Sequence, residues 1–293
     1  MRALITRSFL LLFATAMIAL AVADNLNNTT VRADRIAALS ADPNPLLANW
    51  EGPYGGVPPF DRVQITLFKP ALEEAMTMNL MEIDKIANNS IAPTFENTIV
   101  AMERAGQTLD RVTTIYGVWG STMAGPEFQA VQREMAPKLA AFNDKITQNE
   151  PLFKRIEAVY NSPNKKKLTA EQKRLAWLYH TNFVRSGAQL KPEAKARLSQ
   201  INQRLAGLYT KFSQNVLAEE TEQFIVLKND ADLAGLPQSI RDAAAAAATT
   251  KKQTGWVIMN TRSSIDPFLT YSDRRDLREK AWRMFVNRGD NGD

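Results

Sequence analysis

The residues able to do hydrolytic or metal chemistry are few. One histidine, His180, sits in "LYHTNFVRSGAQL", and the chain has no cysteine. A zinc hydrolase site takes two or three imidazoles or thiolates with carboxylates completing the sphere, and one ring cannot supply that set. The His-Glu-x-x-His pattern needs two imidazoles four residues apart on a helix, so it is impossible here. Thiol proteases and thiol redox chemistry are excluded outright. A Ser-His-Asp arrangement would have to use His180, yet no Gly-x-Ser-x-Gly elbow occurs anywhere. His180 is therefore expected to flank a packed helix with its ring hydrogen-bonded.

Other motifs reduce to structure as well. "GPYGGVPP" is glycine-rich but carries no lysine and opens no helix, so it is not a phosphate loop. Glu73-Glu74 and Glu219-Glu220 are expected on solvated helix faces. Lys165-Lys166-Lys167 reads as a solvated loop rather than a phosphate patch. Arg288-Gly289-Asp290 spells an adhesion tripeptide that chance explains, and the terminal "DNGD" stops before a calcium loop could assemble. The sequence thus offers no catalytic, cofactor-binding or metal-ligating residue.

The elements around these residues are mainly α. Leu67, Ala71, Ala75, Met78, Met81 and Ile86 recur at helical spacing, with Pro70 suited to a first turn. Phe95, Ile99, Met102, Leu109, Val112 and Tyr116 continue the pattern, and further helices are expected over roughly 127–147 and 150–160. Thr169 with Gln172 forms a capping box, Leu168 is placed for the hydrophobic staple, and Gly187 ends that helix. Within it Leu175, Leu178, Tyr179 and Phe183 share a face, with Trp177 and Val184 opposite. From Pro192 the residues Leu198, Ile201, Leu205, Leu208, Phe212 and Val216 form the cleanest apolar stripe of the chain. "EQFIVLKN" (222–229) and "GWVIMNT" (255–261) read as two short strands around a helix through Ala243–Ala248. A last helix opens at Ser272 and carries Leu277, Ala281, Met284 and Phe285.

At the N-terminus Arg2 and Arg7 precede an apolar run ending Ala21-Val22-Ala23, which reads as a secretory signal peptide over 1–23; an uncleaved anchor is the alternative. Its removal leaves 34 basic against 31 acidic residues, a net of +3, too small to argue for nucleic acid. Residues 24–49 read as a flexible lead-in and 50–293 as one helical region. An exported, periplasmic monomer with no lasting membrane association is expected. Without cysteine, it relies on its core rather than on disulfides.

Several ordered stretches resemble one family: "PPFDRVQITLFKPALEEAM", "EIDKIANNSIAPTFENTIVAMERAG", "KLAAFNDKITQNEPLFKRIEAVY", "LYHTNFVRSGAQL", "LSQINQRLAGLYTKFSQNVL", "DLAGLP", "GWVIMNTRSSIDPFL" and "RRDLREKAWRMFVNRG". They are similar to the N-terminal portion of the thimet oligopeptidase family of zinc metallopeptidases, in its bacterial peptidyl-dipeptidase branch. The resemblance implies a mostly helical, two-lobed enzyme that hydrolyses short unstructured peptides, releasing C-terminal dipeptides in that branch. It also implies a zinc ion held by His-Glu-x-x-His and a later glutamate, with the motif's glutamate as general base. Those residues belong to the C-terminal half of the family pattern, so none carries over, and this chain by itself is expected to bind no zinc and to be inactive.

Three readings stay open from sequence: the N-terminal part of a longer exported peptidase, a stand-alone helical peptide-binding or interaction module, and an unrelated helical scaffold. The first differs physically from the second. Helices that would face a missing half expose apolar surface, whereas a self-sufficient module makes those faces polar.

Overall fold

The computed structural model describes residues 44–290. The expected signal peptide and most of the lead-in lie outside the described residues. The chain divides into two compact units, one holding the described residues up to Ala75 with Gly106–Tyr116, the other Met76–Ala105 with Gly117 onward.

In the first unit the lead-in ends earlier than its composition suggests. Leu46 is fully buried, Asn44 Nδ2 donates to the Leu67 carbonyl at 3.0 Å, and Arg111 Nη2 donates to the Leu47 carbonyl at 3.4 Å. Residues 44–49 are therefore anchored, which corrects their reading as flexible. The first stretch of α1 (Ile65–Ala87) and of α4 (Gln107–Thr122) supply the core, with Phe68, Ala71, Leu72, Val112 and Ile115 buried. Phe68 meets Tyr116 edge-on at 5.8 Å, and burial pushes the Tyr116 phenol up to about 12. Helix α1 starts five residues before Pro70, so the proline lies beyond the expected first turn.

In the second unit the later part of α1 packs with a π-helical turn, α2 (Phe95–Val100), its α-helical continuation α3 (Ala101–Arg104), α6 (Glu150–Asn161) and α7 (Ala170–Arg185). Ile83, Ile86, Phe95, Ile99, Leu152, Ile156, Ala176 and Phe183 form one contiguous core. The helix expected through 95–116 is broken, because Ala105 turns extended and Gly106 takes φ +83°. Arg155 is buried among these elements and donates to the carbonyls of Asn89 (2.7 Å) and Ile91 (3.0 Å) and to Asn97 Oδ1 (3.0 Å). That guanidinium closes the irregular stretch before α2, whose N-terminus Thr94 and Asn97 cap reciprocally. The Thr169–Gln172 capping box of α7 forms as expected. At its other end Ala188 N donates to Phe183 O and Gly187 N to Val184 O, a Schellman closure with Gly187 at φ +89°.

Two expectations for α1 and α7 need correction. Met78 and Met81 are exposed, and Met76 and Ile83 take the core positions instead. Leu178 is exposed while Ala176 is buried, since the small side chain lets α7 approach its neighbours closely.

A second core closes the C-terminal part. Strands β1 (Phe224–Leu227) and β2 (Trp256–Met259) pair antiparallel, with Ile225 opposite Ile258 and Leu227 opposite Trp256. Ile225, Leu227 and Ile258 pack against Leu233 and Leu236 of the connection after β1 and against α9 (Gln238–Thr250), α10 (Arg262–Tyr271) and α11 (Arg275–Val286) through Ala244, Ile265, Phe268 and Ala281. Helix α11 begins at Arg275 rather than Ser272, because Ser272 ends α10 and its Oγ accepts from Arg274 N at 3.2 Å. The observed architecture is mainly α with one two-stranded sheet among the described residues.

The remaining pair is α5 (Pro126–Thr147) and α8 (Pro192–Glu222), which lie along each other. Polar side chains tie the two together. Buried Asp144 accepts from Asn202 Nδ2 at 2.7 Å, Arg133 donates to Gln214 Oε1 at 2.6 Å, and Gln214 Nε2 donates to the Gln129 carbonyl at 3.1 Å. No helix among the described residues is long and apolar enough to cross a membrane.

Candidate functional site

His180 lies on α7 against α6. Its ring stacks on Tyr160 at 4.3 Å and on Phe153 at 5.7 Å, and its Nε2 stands 4.0 Å from Glu157 Oε1. Lys165 Nζ lies 3.7 Å from the centroid of the Tyr160 ring. Helical spacing explains the assembly: Phe153, Glu157 and Tyr160 fall at i, i+4 and i+7 on α6, the face that meets α7. His180 is accordingly a packed ring within an aromatic stack. Among the described residues no three His, Cys, Asp or Glu side chains gather in a way that could hold a metal ion. The donor set present does not fit the zinc centre that the resemblance implies.

Beside this stack lies an open depression of about 590 Å³, lined by Tyr160, Asn161, Ser162, Pro163, Lys165, Lys166 and Lys173. A narrower cavity of about 80 Å³ among Phe95, Val159 and Leu168 shares Ser162 and Lys165 with it. The lining lysines make the depression cationic, yet no nucleophile or base is paired within it. Lys166 and Lys167 are solvated as expected; Lys165 differs in covering an aromatic face. Nearby, Tyr179 donates to Glu103 Oε1, and burial together with that carboxylate raises its phenol above the ordinary range.

The most informative surface is on α8. Sequence periodicity marks Leu198, Ile201, Leu205, Leu208, Phe212 and Val216 as the face to be buried. The structure turns most of it outward: Ile201 and Leu205 are exposed, Leu208 is 52% exposed, Tyr209 68% and Phe212 53%. Glu219 is the buried residue of this 31-residue helix. Helix α5 sits on the opposite side, where Ser199, Asn202, Gln203, Ala206, Thr210 and Gln214 are half-buried. An amphipathic helix with its apolar stripe in solvent has an unfilled face.

The acids that close α8 also depart from expectation. Glu219 accepts from Gly289 N at 2.9 Å, and Glu220 pairs with Arg288. They hold the end of α11 against α8 rather than facing water. Gly289 is required there, since at φ +84° a Cβ would lie 2.4 Å from the Phe212 ring. Of the three apolar residues late in α11, Trp282 is half-exposed while Met284 and Phe285 pack on the C-terminal core.

Residues 71–195 match the family model of the neurolysin/thimet oligopeptidase N-terminal domain. Dipeptidyl carboxypeptidase of Salmonella typhimurium is 33% identical over 251 residues, which cover 85% of this chain and 37% of that protein. The Escherichia coli K12 protein of the same name is 32% identical over 251 residues with the same two shares. Oligopeptidase A of Escherichia coli K12 is 26% identical over 245 residues, 84% of this chain and 35% of that protein. The chain thus spans little more than a third of the length of these relatives.

Proposed function

The chain carries the N-terminal domain of the neurolysin/thimet oligopeptidase family, and on that premise we propose that it is the N-terminal portion of an exported zinc peptidase that shortens oligopeptides by removing C-terminal dipeptides. The observation that carries this reading is the 33% identity to a dipeptidyl carboxypeptidase, sustained over 85% of the chain. The zinc and its general base belong to polypeptide outside these residues. What supports that placement is donor chemistry: a single imidazole, already stacked on Tyr160 and Phe153, with no thiolate in the sequence. The outward apolar stripe of α8 supports it as well, because a self-sufficient module would present a polar face there.

Export rests on Arg2, Arg7 and the apolar run closing at Ala23. Fractionating a bacterial host that expresses the gene, and sequencing the mature N-terminus, tests it; Asp24 as first residue in the periplasmic fraction is the expected result.

The decisive measurement compares purified residues 24–293 with the product of the complete gene. On short peptides with free C-termini, the first releases no dipeptide with or without added zinc. The second does so, and loses the activity to a chelator. Chelator-sensitive cleavage by residues 24–293 alone would refute the reading. Tight binding of peptides by residues 24–293, with a stop codon directly after Asp293, would favour a stand-alone peptide-binding module instead.

A further inference from the structure

The geometry points to an occupant for the outward face of α8: polypeptide of the same protein that follows residue 290, packing through an apolar face edged with carboxylates. This deepens the reading above and rests on it.

Three observations carry the inference. The stripe is long and continuous: Ile201, Leu205, Leu208, Tyr209 and Phe212 fall at i, i+4, i+7, i+8 and i+11, about 16 Å of one helix face at 1.5 Å per residue. Exposed apolar surface of that extent marks an interaction site on a soluble protein.

Charge along the stripe has one sign. Arg197 and Arg204 are seven residues apart and so lie along a single edge of it. Helix α8 carries no Asp or Glu between Glu193 and Glu219. A second copy of this face would bring further cations and no acids against it. A segment with carboxylates at matching intervals is complementary, which sets its register and excludes wrong pairings.

The chain itself leaves α11 at this surface. Gly289 abuts the Phe212 ring, its N–H is bound by Glu219, and Arg288 is tied to Glu220. Polypeptide continuing from residue 290 therefore starts at one end of the stripe and needs no long tether to lie along it, so its effective concentration there is high. The relatives extend far enough to supply such a segment, since 251 aligned residues cover only 37% of the Salmonella protein.

The test is hydroxyl-radical footprinting of residues 24–293 alone and of the complete gene product. In the complete product, modification of Leu205, Leu208 and Tyr209 falls about fivefold, in proportion to the exposure each loses on entering an interface core. Equal modification in the two proteins overturns the proposal, as does a stop codon directly after codon 293. Protection of the stripe in residues 24–293 alone, appearing with self-association on concentration, also overturns it in favour of a second copy.

Leu208→Glu gives an independent reading. It leaves the melting temperature of residues 24–293 unchanged, because Leu208 is already half in water there, and lowers that of the complete product. No difference between the two proteins counts against the proposal. Failure here is separable from failure of the functional reading. A complete product that cleaves peptides but leaves the stripe fully modified sinks only the docking, and one that protects the stripe but cleaves nothing sinks only the activity.

Discussion

Arg155 offers a quantitative check on how the second unit is held together. Its guanidinium is buried and reaches three acceptors: the carbonyls of Asn89 and Ile91 and Asn97 Oδ1. Arg155→Met keeps the length of the side chain and deletes the donors. Asn97 Oδ1 retains Thr94 N and the Thr98 hydroxyl, so it loses little. Asn89 is half-buried and Ile91 exposed as residues, so water is expected to compensate their carbonyls only in part. Net hydrogen bonds to charged groups contribute about 1.5–3 kcal/mol each. Against this stands the desolvation of the cation, which also holds the Arg155 pKa below its ordinary value and which methionine relieves. The expected net loss is about 2–3 kcal/mol, which at about 2–4 °C per kcal/mol lowers the melting temperature by about 5–10 °C. Thermal unfolding by circular dichroism measures it, with Arg155→Lys falling between because one ammonium cannot span all three acceptors. A melting temperature for Arg155→Met within about 1 °C of the parent would refute the view that this side chain closes the stretch before α2.

Other consequences follow from single contacts. Thr169→Ala removes the capping box of α7 and lowers stability by about 1 kcal/mol in urea unfolding, whereas Thr169→Ser retains most of it. Asp232 accepts from Lys228 N and from Arg274 Nη1, and these hold its pKa below the usual carboxylate value. A depressed pKa stabilises the fold above the unfolded value of about 4 and that stabilisation is lost as pH falls through the folded value. Asp232→Asn is therefore less stable than the parent at neutral pH, and the gap narrows in acid; urea midpoints at both pH values check this, and a constant gap contradicts it. Zinc or EDTA added to residues 24–293 leaves the melting temperature unchanged, because the lone imidazole is committed to an aromatic stack; a zinc-dependent rise would show a site assembled from these residues.

Much of the local structure was legible because it is written in neighbouring residues. The capping box at Thr169 and Gln172, the helix stop at Gly187, the span of α5 and the two strands separated by a helix all depend on chemistry within a few positions. The imidazole and thiol count, one and none, was equally legible, and it is the basis for expecting no zinc centre within these residues. The break at Gly106 was hidden, because the helical spacing of apolar residues continues on both sides of it.

Periodicity also identified the stripe on α8 but not its direction, for the moment of a helix says that one face is apolar and not what covers it. Tertiary packing chose the other face, because α5 offers polar partners such as Asp144 and Gln129 that match Asn202 and Gln214. Likewise, which of Ala176 or Leu178 enters the core depends on how close the neighbouring helices approach. Sequence alone determined most of the elements; the tertiary structure decided which surfaces are filled, because burial is a property of pairs of elements and not of either one.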